Sequence, residues 1–396
     1  MQKNLKTIQL KPKKEAAVLR FHPWIFSGAI GRQAEGLEDG DWVEVQSHDG
    51  RFLGAGHFQY GSISVRLLTF QKSEIDQGFW NRKIQDALQV RSVAGLEEGS
   101  PQGCYRLVHG EGDGLPGLIV DVYGGVAVVQ CHSVGMHRDL AYIALALQAA
   151  YGDRLQAVYD KSVETLPAKY ASHCQNAYIY GAAAPGIVFE NGLKFKVDWE
   201  TGQKTGFFLD QRDNRALLAR YAEGKEVLNA FSYTGGFSVY ALAAGAQRVD
   251  SVDVSTKAIE LAQENARLNG FGETQHQGIV SDVLTYLRQT EKNYSLMIVD
   301  PPAFAKNLDK RHNAVQGYIR LNAMALRKIA PGGVLFTFSC SQVVDRQLFR
   351  DSIVAAALDA NRQVRVLHEL TQGADHPVGL FHPEGSYLKG LVLYVD

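Results

Sequence analysis

Cys340 stands between Ser339 and Ser341 at the end of the apolar run Val334 to Phe338. A thiol so placed could act as a nucleophile. Four acidic or amide residues recur in the same context. Asn229 follows Val227-Leu228, Asp253 follows the run Val249 to Val252, Asp282 follows Gly278 to Ser281, and Asp300 follows Leu296 to Val299. Such side chains exchange hydrogen bonds with hydroxyl and amino groups. The runs read as strands alternating with helices, which predicts an α/β parallel sheet with a polar carboxyl edge. In an open α/β sheet that edge is where ligands bind.

After the first run the chain reads Asn229-Ala230-Phe231-Ser232-Tyr233-Thr234-Gly235-Gly236-Phe237-Ser238, and a helical pattern follows. A glycine pair there lets backbone N–H groups approach a ligand at a helix N-terminus. Asp253 comes about 18 residues after Gly235, close to the spacing at which an acid ending the second strand accepts hydrogen bonds from ribose hydroxyls. The arrangement suits a nucleoside. No G-x-G-x-x-G occurs in this segment, and Gly224-Lys225 is followed by Glu226 rather than Ser or Thr. A pyrophosphate ligand is therefore disfavoured.

Asn229 to Ser238, Asp253, Asp282 and Asp300-Pro301-Pro302-Ala303-Phe304 resemble the successive motifs of class I S-adenosylmethionine-dependent methyltransferases. The resemblance implies a Rossmann-like domain with S-adenosyl-L-methionine as cofactor. It implies that Asn229 and the loop carrying Phe231, Tyr233 and Gly235 flank the amino-acid part of the cofactor. Asp253 would hold its ribose and Asp282 its adenine amino group, while Asp300, Pro301, Pro302 and Phe304 would face the substrate. A single aspartate at a strand end is usually a helix N-cap. Polar residues at four successive strand ends argue against capping alone.

Cys340 narrows the reaction. C5 of a pyrimidine is too weak a nucleophile to take a methyl group from a sulfonium, unless a thiolate first adds to C6 and makes C5 enamine-like. Only a few per cent of a free thiol, with a pKa of about 8.5, is thiolate at neutral pH, so the site must favour that form. Leu335 to Ser341, after Pro331-Gly332-Gly333, resembles the strand and cysteine motif of RNA pyrimidine-C5 methyltransferases. One group of cytosine-C5 enzymes carries a second cysteine after the proline of the Asp-Pro motif, where this chain has Ala303. That excludes a two-cysteine mechanism and approaches the uracil-C5 pattern. The cysteine alone does not name the base. Amino-group methylation using Asp300 is the rival chemistry, although Phe304 lies one residue later than the stacking aromatic of such enzymes. A non-enzymatic RNA-binding protein is a further alternative, disfavoured by the intact cofactor acids.

Cys104, Cys131 and Cys174 form no C-x-x-C and are expected to be small buried hydrophobes, so neither a metal site nor a disulfide scaffold is suggested. Thr201 to Asn214 resembles a segment that packs over the cofactor in related RNA methyltransferases, which would bring Gln211 to the active face; its plainer reading is a loop with Asp210 as N-cap. Gly110 to Gly117 lies between strand-like runs and reads as a turn. His376-Pro377 and His382-Pro383 fall in a loop before the terminal strand, where solvated histidines are expected. Arg106, His109 and Lys161 are possible RNA contacts.

The whole chain has 396 residues, 45% apolar content and a net charge of −1, as in an ordinary globular protein of two or three domains. No run is long and apolar enough to span a membrane and no signal-peptide core follows the N-terminus, so a cytoplasmic protein is expected. Residues 1–35 nevertheless carry seven basic side chains (Lys3, Lys6, Lys11, Lys13, Lys14, Arg20, Arg32) against Glu15 and Glu35. From Leu5 to Phe70, Phe21-His22-Pro23-Trp24-Ile25-Phe26 and Gly40-Asp41-Trp42-Val43 resemble a PUA domain, a small RNA-binding β-barrel.

The expected domains are 1–75 (PUA-like), 76–190 (a middle α+β module with helices over Phe79 to Val93 and Met136 to Tyr151) and 191–396 (methyltransferase). In this order they resemble the large-subunit rRNA methyltransferase I family. That resemblance implies methylation of C5 of a cytosine in 23S ribosomal RNA, naked or partly assembled, since base flipping needs access.

Overall fold

The computed structural model describes residues 5–96, 103–305 and 307–396, so Lys3 of the basic segment lies outside the described residues. The chain forms two compact units, one of Met1–Asn191, Val197–Leu209 and Ala374–Gly385, the other of Gly192–Lys196, Asp210–Gly373 and Ser386–Asp396. Among the described residues no helix is long and apolar enough to cross a membrane.

The first unit holds a six-stranded sheet built from Lys6–Leu10, Trp24–Phe26, Ile30–Gln33, Trp42–Gln46, Phe52–Phe58 and Ile63–Thr69. Its apolar positions alternate, as in Val43 and Val45, and meet Ile8, Ile25, Phe58 and Val65 in one core. A five-stranded sheet follows, in which Cys104–His109 and Leu118–Tyr123 pair antiparallel around the Gly114 turn, as expected. Helix Gln77–Val93 buries Trp80 and Ile84 in the core of that sheet.

The helix expected over Met136 to Tyr151 is two helices, Val134–Arg138 and Leu140–Tyr151. The break is at Asp139, whose carboxylate accepts from Trp42 Nε1 at 2.6 Å and meets His57 Nε2 at 3.0 Å. Arg106 is ion-paired with Asp121, and Lys161 is buried and donates to the Gly202 carbonyl at 2.5 Å, so both serve the fold internally. Burial drives the His109 imidazole far below its ordinary value and keeps it neutral.

His376 and His382 are buried, not solvated. The Asp375 segment explains the first: Arg91 and the Arg106 N–H hold Asp375, which bonds His376 Nδ1 at 2.8 Å. His382 packs against Trp24, ring centroids 4.4 Å apart, near His22 and Glu384. His22 Nδ1 accepts the Trp24 N–H at 3.2 Å, which leaves the ring proton on Nε2, turned toward Glu384. In that tautomer Nε2 offers a cation no lone pair.

In the second unit the strands are β1 (Glu226–Ala230), β2 (Arg248–Asp253), β3 (His276–Val280), β4 (Tyr294–Val299), β5 (Ile329–Ser339), β6 (Val364–Leu370) and β7 (Lys389–Val395). They lie in the order β3-β2-β1-β4-β5-β7-β6, with the first five parallel and β7 antiparallel to both neighbours. The order reverses between β1 and β4, the switch point at which such sheets open a ligand crevice. Helices α1 (Arg212–Ala219), α2 (Gly236–Ala243), α3 (Thr256–Leu268), α4 (Val283–Gln289), α5 (Arg311–Lys328) and α6 (Arg346–Asp359) connect or flank the strands. The Pro331-Gly332-Gly333 turn is a bulge inside β5, since Tyr294 pairs with Ile329 and Leu296 already with Val334.

Candidate active site at the carboxyl edge of the parallel sheet

The turn after β1 is built on unusual backbone. Phe231 and Tyr233 have φ of 60° and 44°, and Gly235 has 76°. A Cβ on Gly235 would lie 2.8 Å from the Ala262 Cβ, so only glycine fits this turn. The turn is tied to β2 by Ser232 N–H donating to the Val252 carbonyl at 3.1 Å. Asp253 ends β2, and its two carboxylate oxygens accept from the Tyr233 and Ser255 N–H groups at 3.0 and 2.9 Å. The carboxylate thus braces the loop that it faces.

Asn229 lies within β1, one residue before its end, and is buried. Its Nδ2 donates to Ser238 Oγ at 2.8 Å, and the chain continues through Ser251 Oγ to His276 Nε2 in steps of 2.7 Å. Burial pushes the His276 imidazole down to about 4. Asp282 is exposed and caps α4, accepting the Thr285 N–H at 2.8 Å. It therefore fills the N-cap position, with its side chain still at the edge.

Asp300 follows β4, and Gln211, which precedes α1, donates from Nε2 to its Oδ2 at 2.9 Å. Gln211 Oε1 in turn accepts from Asn214 Nδ2 at 2.6 Å. The cap position of α1 is Gln211, not Asp210; Asp210 instead accepts the Tyr387 hydroxyl at 2.6 Å. Pro301 is buried and Pro302 exposed. The half-open Phe304 ring packs at 4.7 Å from Tyr318.

Cys340 is partly buried directly after β5, while the serines on either side are fully buried. Ser339 Oγ donates to the Tyr318 hydroxyl at 2.8 Å, and Tyr318 donates to Ser341 Oγ at 3.2 Å. Burial, with added repulsion from Cys340 and Asp300, holds Tyr318 above its ordinary value, so it stays a phenol. Lys389 Nζ donates to the Ser341 carbonyl at 2.7 Å. The segment bearing the thiol is thus clamped from α5 on one side and β7 on the other. Tyr318 and Lys389 were not among the residues expected from sequence. Tyr318 is an interior position of a long helix, and Lys389 is marked only by a cation opening an otherwise apolar strand.

A family model for S-adenosylmethionine-dependent methyltransferases matches residues 105–371, and one for PUA-like domains matches 8–70. A protein of Aeromonas salmonicida named ribosomal RNA large subunit methyltransferase I is 40% identical over 393 residues, 98% of either chain. One of the same name from Shewanella frigidimarina is 42% identical over 396 residues, covering 98% of this chain and 99% of that one. The chain belongs to the ribosomal RNA large subunit methyltransferase I family. As a member of that family it uses S-adenosylmethionine. A structure from Streptococcus mutans described as a SAM-dependent methyltransferase superposes with a TM-score of 0.82 at 24% identity, covering 98% of this chain and 99% of the other, and shows the shared fold.

Proposed function

We propose that this chain transfers a methyl group from S-adenosylmethionine to C5 of a cytosine in 23S ribosomal RNA, through a covalent bond between Cys340 Sγ and C6. The observation that carries the reading is Cys340 itself, clamped at the end of β5 on the sheet edge that also bears Asp253 and Asp300. The relatives named for large-subunit ribosomal RNA, similar over nearly the whole chain, support the substrate class.

The residues at the first three strand ends suit the cofactor. Asp253 offers a carboxylate to ribose hydroxyls, the strained Phe231 to Gly235 turn brings backbone close to the amino-acid part, and Asp282 is open to the adenine amino group. When bound, S-adenosylmethionine supplies an electrophilic methyl group. Cys340 thiolate adds to C6, and the displaced electron pair makes C5 nucleophilic. Asp300, carrying a proton when it meets N3 of the base, assists that addition. Once C5 carries the methyl group, a base removes the C5 proton and the electron pair expels the thiolate, restoring the ring. With Ala303 in place of a second cysteine, the same thiol opens and closes the cycle.

The amino-methylation alternative has less support, because Ala303 occupies the usual stacking position. The segments 1–75 and 76–190 would dock structured RNA through phosphate contacts, while the target base is unstacked at a cost of a few kcal/mol. The test is to incubate the protein with methyl-labelled S-adenosylmethionine and unmodified 23S rRNA and digest to nucleosides. Label in 5-methylcytidine is expected. Label in 5-methyluridine would change the base, and label in a methylated purine would overturn the reading.

A further inference from the structure

Lys389 is a buried cation at the edge where the reaction is read. It is 5% exposed, opens β7, and lies opposite Ser339 in the β5–β7 register. Its ammonium makes one hydrogen bond, to the Ser341 carbonyl, and no ion pair with a carboxylate among the described residues. A buried ammonium without an anion is unfavourable, so a counter-charge is called for. Cys340 lies between the residue that Lys389 faces and the residue to which it donates. Its thiol can supply that charge.

We propose that Lys389 is a positioning residue that holds Cys340 in its thiolate form, the two side chains forming an ammonium–thiolate pair at the end of β5. The inference rests on the reading of Cys340 as the nucleophile and names the group that activates it. Burial pushes the Lys389 ammonium down to about 8, and among its neighbours Cys340 is the strongest influence in the opposite direction. That attraction is reciprocal, so a cation at this position favours negative charge on the sulfur. The other groups acting on Lys389 come from the start of α6 and its cap. Arg346 opposes the charge and Asp345 favours it. From α5, Tyr318 faces the thiol as a neutral phenol, and Asp300 acts on the same hydroxyl.

The proton balance is simple. The thiol proton leaves to solvent, the sulfur lone pair forms the bond to C6, and elimination returns the negative charge to sulfur beside Lys389. No oxidant or added reactant is needed.

The test is the pH dependence of Cys340 alkylation by iodoacetamide, followed by mass spectrometry of the peptide bearing Cys340, on the full-length protein without RNA. In the unmodified protein the midpoint is expected below the free-thiol value of about 8.5; a midpoint at or above it overturns the proposal, whatever the variants do. Lys389→Met is expected to raise the midpoint by at least about one pH unit, cutting alkylation at pH 7 about tenfold. Lys389→Arg should keep it near the original. An unshifted midpoint in Lys389→Met that still binds S-adenosylmethionine by calorimetry overturns the assignment. Because alkylation needs neither RNA nor methyl transfer, failure here is separable from failure of the C5 reading, which the labelled nucleoside reports.

Discussion

Gln211 and Asp300 meet at 2.9 Å across 89 positions of sequence, the amide Nε2 donating to the carboxylate Oδ2. The contact fixes the orientation of Asp300 from outside its own strand, and the Asn214 amide fixes Gln211 in turn. A single hydrogen bond to a charged group is worth about 1.5–3 kcal/mol. Gln211→Ala is therefore expected to lower kcat by roughly tenfold or more and to cost about 1–3 kcal/mol of stability, since Gln211 is buried and bonded to both Asp300 and Asn214. Steady-state kinetics on rRNA checks this, and an unaltered kcat would mean that Asp300 is oriented without Gln211.

Asp253 carries two loads, the Tyr233 and Ser255 N–H groups in the free protein and the proposed ribose hydroxyls. Asp253→Ala removes the acceptors for both. Calorimetry should record a loss of S-adenosylmethionine affinity of about tenfold or more, at about 1.5–3 kcal/mol per charged hydrogen bond. Unchanged affinity would remove Asp253 from the ribose site.

Gly235 is required by conformation and by space. Alanine there would sit in left-handed backbone, at about 1–2 kcal/mol, with its Cβ 2.8 Å from the Ala262 Cβ. Gly235→Ala should lose at least about 1–2 kcal/mol of stability in denaturant unfolding and weaken cofactor binding with it. A variant with the original stability would show that α3 yields at Ala262.

His276 supplies a pH dependence. Its folded-state pKa is lowered from 6.5 to about 4 by burial, so the unfolded chain binds its proton first as pH falls. Its contribution to stability is whole above pH 6.5 and is lost as pH falls from there toward 4, by up to roughly 3 kcal/mol. Thermal unfolding of His276→Asn, compared with the original between pH 7 and 4.5, should show a shallower acid decline. Parallel curves would place the acid sensitivity elsewhere, for example at His132, which burial also lowers to about 4.

The polar strand ends were legible in the sequence because a parallel strand is a short apolar run and its first polar successor falls at the sheet edge. Asp253 and Asp300 needed nothing more. Asn229 was placed at the edge by the same logic but lies within β1, its amide committed to Ser238, because a buried polar network beneath the sheet leaves no local pattern. Tyr318 and Lys389 were illegible for a topological reason. Each reaches the Cys340 segment from a separate element, and the Ser339–Lys389 pairing depends on β7 returning antiparallel beside β5. His376 and His382 were misread as solvated, since their loop sequence looks exposed and only the buried Asp375 network and the Trp24 contact show otherwise.

A covalent bond from Cys340 to the target base is the step on which the C5 chemistry depends. The direct measurement uses an rRNA fragment in which 5-fluorocytidine replaces cytidine, incubated with the protein and S-adenosylmethionine, digested, and analysed by mass spectrometry. Fluorine at C5 cannot leave as a proton, so elimination stalls after methyl transfer. A methylated fluorocytidine adduct is expected on the peptide containing Cys340, and none in Cys340→Ala, which should still bind the cofactor. Normal methylation of unmodified RNA by Cys340→Ala, with no adduct in the original protein, would contradict it.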